Sequence, residues 1–446
     1  MCQTSLTRRQ LLRQAALLAA TAPVVASISP FRSLAEALEL QRGAGTGAAV
    51  PMHVELVTVT DTQAIITWFT GDPTDLDEFG RPRPVSAPGR VLIGVDPDPR
   101  TWREVGVHGP TPFHYVVVDG LEPGTSYYWR AESAGLIAHP TVINRANPLD
   151  LVAPSPFATL VPPPGRELGR VAWFNDLHFG EKVAGLAYSN DMLPRGGLPP
   201  GFPVDTADPY WRFMGRNAVV QARDLGCTLL LANGDLTSEA EPAELAECRD
   251  TLDAFGAIGG RVDGQANPAS PGRVDLGPGD EPAYFVTRGN HDRWHRGDVY
   301  ADCTAGEGDL RDCFSDAFTP SWEPGSTHFS VTIGDDRARF RFVGLDSNDG
   351  EDTGVLRPGE LDYLEQELAR GDLTIPLFHH PASDIAGLSD PIPGGSSLRQ
   401  DHAQAFREVV ARHQNVAGVY AGHTHRNNRS LATGTGDVPF FEGGAV

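Results

Sequence analysis

The stretch YFVTRGNHD, residues 284–292, is an apolar run that ends in a cluster of Asn, His and Asp. The same pattern occurs five times along the chain, in blocks that all offer Asp, Asn or His: DLHFG (176–180), NGDL (233–236), GNHD (289–292), HHP (379–381) and GHTH (422–425). Each block follows a predicted strand. Because the carboxyl ends of strands in α/β proteins meet at one edge of a sheet, we expect the five blocks to lie together.

The segments around these blocks alternate between strands and helices, which predicts an α/β layer fold from about residue 168 onward. The predicted strands are 171–174, 228–232, 284–287, 340–345, 375–378 and 416–420, and the predicted helices are 208–225, 242–255, 360–370 and 403–412. The Gly/Pro-rich stretches 181–206 and 256–282 show no periodicity and are predicted to be long loops.

The preceding part of the chain has a different pattern, with short alternating runs and no helical period. These runs are 53–59, 64–69, 91–95, 114–118 and 120–130, and their spacing predicts a β-sandwich. Residues 38–50 are predicted to be a flexible linker, and VPPPGR (161–166) a stiff Pro-rich connection between two domains.

The net charge of the chain disfavours large anionic partners. The 446 residues carry a formal net charge of −22, which disfavours nucleic-acid backbones and anionic membranes. A small anionic substrate is still compatible with this charge, because a bound metal ion would invert the local field.

The N-terminus resembles a twin-arginine export signal. Arg8 and Arg9 precede the apolar run Ala15–Ala26, which is too short to span a bilayer well. Cleavage is expected after Ala37 or, alternatively, after Ala26. In an exported protein Cys303 and Cys313 could form a local disulfide, although sequence alone does not fix the pairing. Cys227 precedes a buried-looking strand and is predicted to be a core thiol.

The residue types in the five blocks are metal ligands. A mixed Asp, Asn and His set suits Mn, Fe, Zn or Co better than Ca or Mg. Asp176 and His178 are two residues apart, so on an extended strand both would point to the same side, and His423 and His425 repeat this spacing. Two such metal ions would neutralise phosphate oxygens and lower the pKa of a shared water, which is what phosphoester hydrolysis needs.

As an ordered set, D-x-H, GD, GNHD, H-x-P and GHxH resemble the calcineurin-like metallophosphoesterase superfamily over roughly residues 168–446. The resemblance implies a four-layer αββα sandwich and seven metal ligands: Asp176, His178 and His425 for the first ion, Asp235 as the bridge, and Asn290, His379 and His423 for the second. It also implies that a hydroxide bridging the two ions attacks the phosphorus. His291 would then act near the phosphate as an acid or transition-state stabiliser, with Asp292 orienting its ring.

Two further features indicate which members of the superfamily the chain resembles most. The segment around Leu121–Arg130 is similar to a fibronectin type III module, of the kind that precedes the catalytic domain in purple acid phosphatases. Ser238, however, stands where those enzymes have a tyrosine ligand, so a tyrosinate-bound ferric site is not expected. The pairing of D-x-H with HHP is closer to phosphodiesterase-like members. His380 either lines the pocket or packs.

The predicted organisation is a signal peptide (1–37), a linker (38–50), a fibronectin type III-like β-sandwich (51–163) and a metallophosphoesterase domain (168–446). The predicted function is an exported dinuclear-metal phosphoester hydrolase whose partner is a small phosphomonoester, phosphodiester or nucleotide anhydride. We expect no nucleic-acid partner and no membrane insertion after signal removal. The alternatives are an exported binding or adhesion protein with an inactive phosphatase-like domain, and a structural protein with one metal ion.

Overall fold

The computed structural model describes sixteen stretches of the chain: residues 49–76, 82–138, 156–162, 164–181, 209–259, 261–262, 265–266, 273–276, 280–293, 313–318, 328–335, 337–348, 354–382, 397–425, 428–431 and 434–444. Contacts divide the chain after Gly165, with Arg166–Glu181 and Gly215–Val446 in one compact unit. The described residues between 49 and 165 belong to a second unit, together with residues 209–214. The predicted export signal lies outside the described residues. Among the described helices, none has the length and apolar character needed to cross a membrane.

The part of the chain before Arg166 is built from strands. Nine strands are described: β1 (Val50–Val59), β2 (Ala64–Leu76), β3 (Pro82–Pro84), β4 (Ala87–Gly94), β5 (Arg103–Thr111), β6 (Phe113–Val118), β7 (Ser126–Ser133), β8 (Leu136–Ile137) and β9 (Phe157–Ala158). A one-turn 3-10 helix, Pro99–Thr101, connects β4 to β5. In one antiparallel sheet β2 pairs with β1, β3 and β6, and in the other β7 pairs with β4, β8 and β9 while β5 flanks β4. The two sheets share a core that includes Ile66, Trp68, Val91, Val116 and Trp129.

The remainder of the chain mixes strands with helices. Its strands are β10 (Val171–Phe174), β11 (Leu229–Asn233), β12 (Ala257–Ile258), β13 (Arg261–Val262), β14 (Gln265–Ala266), β15 (Arg273–Leu276), β16 (Ala283–Thr287), β17 (Phe329–Asp335), β18 (Ala338–Gly344), β19 (Leu373–Leu377), β20 (Val419–Ala421), β21 (Asn428–Leu431) and β22 (Pro439–Glu442). Its helices are α1 (Tyr210–Asp224), α2 (Pro242–Asp253), α3 (Cys313–Phe318), α4 (Pro358–Leu368) and α5 (Gln400–Arg412), with a 3-10 turn at His291–Arg293.

Two sheets organise this unit. The first is parallel in the order β10-β11-β16-β12, and the second has the order β15-β17-β18-β19-β20-β22-β21 with both parallel and antiparallel pairs. A short hairpin, β13-β14, stands apart from them. The alternation that the sequence predicts is therefore confirmed as a mixed α/β arrangement, with most element ends within two or three residues of the predicted ones.

The two sheets pack face to face through side chains that alternate along their strands. Leu231 of β11 and Phe285 of β16 meet Val331 and Phe342 of the second sheet in one buried cluster. Tyr284 points the opposite way, and its hydroxyl donates to Asp253 of α2 at 2.5 Å. That helix therefore lies on the outer face of the first sheet.

The outer face of the second sheet is covered by α4 and α5. Leu364 and Phe406 from these helices share a buried cluster with Val343 and Phe378. Burying a side chain of this size contributes roughly 1.5–3 kcal/mol, so the cluster fixes the sheet and the loops that follow its strands.

Several described elements were not predicted from the sequence, among them α3, β17 and β21. The strand β17 was not predicted, because Ser330 and Thr332 interrupt its apolar pattern although both are buried. The Ser330 hydroxyl donates to Glu367 at 2.8 Å, which satisfies it inside the sheet. Short strands also occur within 256–282, which was predicted to be loop throughout.

The cysteines follow the prediction in part. Cys227 is buried and free, as predicted for a core thiol, and Cys248 is also buried and free. Cys313 is disulfide-bonded. Its partner lies outside the described residues, so pairing with Cys303 stays a prediction.

Candidate metal centre

Five of the predicted ligands have left-handed backbone conformations, which non-glycine residues rarely adopt. Of the seven non-glycine residues with positive φ in the described part of the chain, five are predicted ligands: Asp176 (52°), His178 (46°), Asp235 (49°), His423 (69°) and His425 (50°). Each such residue costs of order 1–3 kcal/mol, and such strain concentrates at functional sites.

The same angles correct one expectation about local geometry. Asp176 and His178 were expected on an extended strand, but β10 ends at Phe174 and both residues lie in the turn that follows. The turn is held by backbone bonds from Asp176 N to the Gly234 carbonyl (3.2 Å) and from His178 N to the Asp235 carbonyl (3.0 Å). The two side chains therefore converge because of a hydrogen-bonded turn rather than strand alternation.

The first group of ligand atoms comes from the D-x-H and GHTH blocks. The Nε2 atoms of His178 and His425 are 3.1 Å apart, and His425 Nε2 is 3.4 Å from Asp176 Oδ1. The His423 backbone N–H donates to both Asp176 oxygens, at 3.0 and 3.1 Å, which fixes one block against the other.

Asp235 lies between this group and a second one. Its Oδ2 is 3.0 Å from His379 Nε2 and 3.8 Å from His178 Nε2, while its Oδ1 accepts the His291 backbone N–H at 2.9 Å. His379 Nε2 is in turn 3.1 Å from His423 Nδ1. One carboxylate oxygen therefore lies near an imidazole nitrogen of each group.

The ring of His379 is oriented by the backbone. Its Nδ1 lies 3.1 Å from the Asn233 carbonyl, which can only accept, so Nδ1 donates and Nε2 is the nitrogen that would bind a metal ion. The neighbouring glycine is required here. A Cβ on Gly234 would lie 2.5 Å from His379 Nδ1, and the φ of this glycine is +81°.

The residue types and their environment fit metal ions. Asn290 is 5% exposed, and its Oδ1 meets no hydrogen-bond donor among the described residues, an arrangement that a cation would satisfy. His and Asp atoms within 4.8 Å of one another form overlapping groups that share Asp176, His178, Asp235 and His379. Imidazole and carboxylate ligands of this kind suit first-row transition metals.

The electrostatics of the site follow from burial and from these contacts. Burial alone would raise the pKa of Asp235, but the charges of His379 and His291 hold it well below the usual value. The pKa of His379 is raised to about 9: burial opposes the charged ring, and the Asp235 carboxylate outweighs burial. Burial lowers the pKa of His178 to about 3. The site thus combines ionised carboxylates with imidazoles whose protons a metal ion would displace.

His291 and Asp292 are placed differently from the expectation. His291 Nδ1 is 2.7 Å from the Ser238 carbonyl, so this backbone group, rather than Asp292, orients the ring. Asp292 instead accepts hydrogen bonds from Leu236 N, Thr237 N and Thr237 Oγ1 on one oxygen, and from Gly289 N on the other. It ties the GNHD turn to the turn after Asp235.

Sequence reasoning did not single out Glu181, which follows the first block. Burial raises the pKa of Glu181 to about 7, and the charges of His425 and His291 act on it in the opposite direction. A carboxyl group therefore lies near these histidines. No sequence signal marked it, because an isolated Glu after a turn is usually a solvated residue.

His380 is fully buried, and its Nδ1 is 2.9 Å from the Ser347 hydroxyl. Its ring centroid is 4.6 Å from that of His423. A ring nitrogen of His380 also lies within 4.8 Å of ring nitrogens of His379 and His423, so His380 borders the candidate site and both alternatives that the sequence left open stand.

Residues 169–427 match the family model of the calcineurin-like phosphoesterases, which covers more than half of the chain. The chain belongs to the calcineurin-like phosphoesterase family. The recognition made from the five blocks is therefore confirmed.

Individual relatives are more distant. A Synechococcus sp. protein named "Probable cyclic nucleotide phosphodiesterase" is 25% identical over 217 residues, which are 46% of this chain and 62% of the relative. The match thus spans less than two thirds of that protein.

Solved structures show weak similarity. A dimetal phosphatase from Danio rerio is 15% identical, covering 61% of this chain and 86% of its own, with a TM-score of 0.39. A purple acid phosphatase from yellow lupin (Lupinus luteus) seeds is 14% identical, covering 89% of this chain and 65% of its own, with a TM-score of 0.37. The family assignment rests on the family match alone.

Proposed function

We propose that this protein is a dinuclear metal-dependent phosphoester hydrolase. The observation that carries the proposal is the position of Asp235, whose carboxylate lies 3.0 Å from His379 Nε2 and 3.8 Å from His178 Nε2. A carboxylate between two imidazole groups is the arrangement that a bridging ligand requires. Family membership supports the same reaction class.

The proposed ligands divide into two sets around Asp235. The first set is Asp176, His178 and His425, and the second set is Asn290, His379 and His423. When bound, the two ions would neutralise the phosphate oxygens and lower the pKa of a water molecule that supplies the nucleophile. The identity of the ions is proposed only as Mn, Fe, Zn or Co, from the ligand types.

His291 is the proposed catalytic side chain. Its Nδ1 donates to the Ser238 carbonyl, and a ring nitrogen of His291 lies within 4.8 Å of ligand atoms of His178 and Asp235. Its Nε2 is therefore proposed to contact a phosphate oxygen or to give a proton to the leaving oxygen. Its own backbone N–H donates to the Asp235 carboxylate, which ties His291 to the proposed bridging ligand. Asp292 is proposed to hold this turn rather than to touch the substrate.

We propose a phosphodiester as the substrate. The pairing of D-x-H with HHP and the name of the Synechococcus relative both point this way. The test is hydrolysis of bis-p-nitrophenyl phosphate beside p-nitrophenyl phosphate by metal-analysed protein. We expect faster turnover of the diester, and its loss in Asp235→Asn and His291→Ala.

A matched control is Asp362→Asn, which removes an exposed carboxylate from α4 and should leave turnover unchanged. Faster turnover of the monoester would overturn the substrate class alone. Absence of turnover with any of the four metals would overturn the enzyme proposal and favour the binding-protein alternative.

We also propose that the two units correspond to a fibronectin type III-like β-sandwich (51–163) and a four-layer metallophosphoesterase domain (168–446). Helices on the outer faces of the two packed sheets support the second assignment. Tyr127 supports the first, because its hydroxyl accepts the Glu122 backbone N–H at 2.9 Å, in the manner of the tyrosine corner of such sandwiches. If the assignment is right, residues 51–163 expressed alone should unfold in a single cooperative transition.

Export is proposed from the sequence of the N-terminus. Arg8 and Arg9 before an apolar run are the features that support the twin-arginine route, with residues 1–37 as the signal peptide. Replacing both arginines by lysine should leave the protein inside the cell, as judged by immunoblots of cell fractions. Unchanged export of the double variant would overturn this assignment.

A further inference from the structure

Three consecutive buried residues follow β18, and each contacts a segment that carries a proposed metal ligand. Asp346, Ser347 and Asn348 are at most 1% exposed and form what we call the clamp segment. None of them is a ligand in the family pattern. Their contacts reach the GNHD turn on one side and the HHP turn on the other.

Two members of the clamp segment hold the GNHD turn. The Asn348 side-chain amide donates to the Gly289 carbonyl at 2.6 Å, directly before the ligand Asn290. The Asp346 carboxylate lies 3.6 Å from the guanidinium of Arg288, which is fully buried. The chain entering the turn is therefore fixed at two adjacent residues.

The third member holds the HHP turn. The His380 backbone N–H donates to the Ser347 hydroxyl oxygen at 3.2 Å, which leaves the hydroxyl hydrogen free to point to His380 Nδ1 at 2.9 Å. Both contacts are made to the residue that follows the ligand His379. Ser347 thus holds both the backbone and the ring of His380, directly after the ligand His379.

The clamp segment is itself anchored to the start of α4. The Asp346 backbone N–H donates to Glu360 at 3.0 Å, and the Arg357 guanidinium donates to the Asn348 carbonyl at 2.7 Å. The Ser347 carbonyl accepts the Val355 backbone N–H at 2.8 Å. Because each of its three residues is anchored, the clamp segment can hold the GNHD and HHP turns at fixed positions.

The two ligands whose turns contact the clamp segment, Asn290 and His379, follow strands of different sheets. Asn290 follows β16 of the first sheet, and His379 follows β19 of the second, so no continuous strand sets the distance between them. The Asn348–Gly289 hydrogen bond links the second sheet to the loop of the first. Since outer-shell partners of metal ligands commonly change metal affinity 10–100-fold, this link has a functional consequence.

We propose that Asp346, Ser347 and Asn348 are positioning residues that set the separation of Asn290 and His379 and thereby the affinity of the second metal ion. This inference rests on the proposed dinuclear function. It predicts a selective effect, because the ligands of the first set, Asp176, His178 and His425, lie outside the turns that the clamp segment contacts.

The test is to measure Mn²⁺ binding to metal-free full-length protein by equilibrium dialysis with metal analysis. This measurement does not depend on catalysis. In Asn348→Ala and Ser347→Ala we expect one site of unchanged affinity and a second site weakened at least tenfold. Ser347→Thr keeps the hydroxyl and should restore the second site. If Asn348→Ala does not fold, Asn348→Asp removes the donor while keeping the shape.

The matched controls are two polar residues, the half-buried Asn415 and the buried Ser330, whose hydrogen bonds go to no ligand segment. Asn415→Ala removes an amide that donates to the Leu368 and Asp372 carbonyls, and Ser330→Ala removes a hydroxyl that donates to Glu367. Both should retain two sites of wild-type affinity.

The outcomes separate the two proposals. Clamp variants that bind two ions as tightly as wild type, or that weaken both sites to the same degree, would overturn the clamp while the dinuclear function stands. A wild-type protein that binds fewer than two ions would overturn the dinuclear function, and the clamp with it, before any variant is compared.

Discussion

At the scale of single residues, the site depends on backbone geometry as much as on ligand chemistry. Asp235 has a left-handed backbone, and the glycine before it passes close to the ring of His379. The side chains that would share metal ions are thus held by turns that few other residues can adopt. Changes that add a single carbon beside these turns should therefore disturb the site.

Gly234→Ala tests this dependence. Its Cβ would meet the His379 ring at 2.5 Å, so we expect metal affinity and phosphodiester turnover to fall at least tenfold. The control is Gly226→Ala, where φ is also positive (+72°) but no atom lies within 4 Å of the added carbon. Both variants carry the backbone cost of about 1 kcal/mol, and only Gly234→Ala displaces the ligand. Equal effects in the two variants would contradict the explanation.

A second residue-scale prediction concerns His114 in the strand-built unit. Its ring stacks on Trp68 with centroids 4.3 Å apart, and burial, followed by the charge of His108, lowers its pKa to about 3. Between pH 6.5 and 3 the unfolded chain therefore binds a proton that the folded chain does not, so stability falls as the pH falls. At pH 5 the loss is about 2 kcal/mol relative to neutral pH.

The measurement is the free energy of unfolding at pH 5 and pH 7.5 for wild type and His114→Phe, which keeps a ring against Trp68. The wild type should lose about 2 kcal/mol more than the variant over this interval. An identical pH dependence in both proteins would show that His114 is not buried in its neutral form.

At the scale of elements, Asp292 joins two loops that belong to different strands. It accepts backbone N–H groups from Leu236 and Thr237 after β11 and from Gly289 after β16, and it is 1% exposed. Asp292→Ala would leave these buried donors unsatisfied. We expect the free energy of unfolding to fall by roughly 3 kcal/mol or more, as measured by denaturant titration. Asp362→Ala, at an exposed position on α4, should change it by less than about 0.5 kcal/mol.

The elements themselves were largely predictable from the sequence. Apolar runs such as Leu229–Asn233 and Ala283–Thr287 are buried on both faces, and their composition alone identifies them as interior strands of a parallel sheet. β17 was not predictable in this way, because its buried Ser330 is satisfied by Glu367, a partner 37 residues away. The five ligand blocks could be recognised from their order. The roles of Asp292 and the clamp segment could not, since their contacts join residues distant in sequence.

The geometry of the site was also predictable only in part. Which residues would meet was predictable, because ligands after parallel strands share one edge of a sheet. How they meet was not, because the left-handed turn at Asp176 and His178 depends on the Gly234 and Asp235 carbonyls that accept their backbone N–H groups.

At the scale of the whole molecule, metal binding should contribute to stability. Asp176 and Asp235 are buried close together, and the charge of Asp235 opposes ionisation of Asp176, so bound cations would relieve this repulsion. Removing metal with a chelator should therefore lower the Tm by several degrees, since binding at a thousand times Kd stabilises by about 4 kcal/mol. Asp235→Asn should abolish the difference between loaded and metal-free protein. A Tm that is unaffected by chelation of the wild type would contradict this expectation.

The most direct test of the central claim is to titrate metal-free protein with Mn²⁺ while following bis-p-nitrophenyl phosphate hydrolysis. Two ions that act on one phosphate predict that turnover rises until two equivalents are bound and then stays constant. Turnover that is complete at one equivalent, or that never appears while two ions bind, would contradict the dinuclear hydrolase.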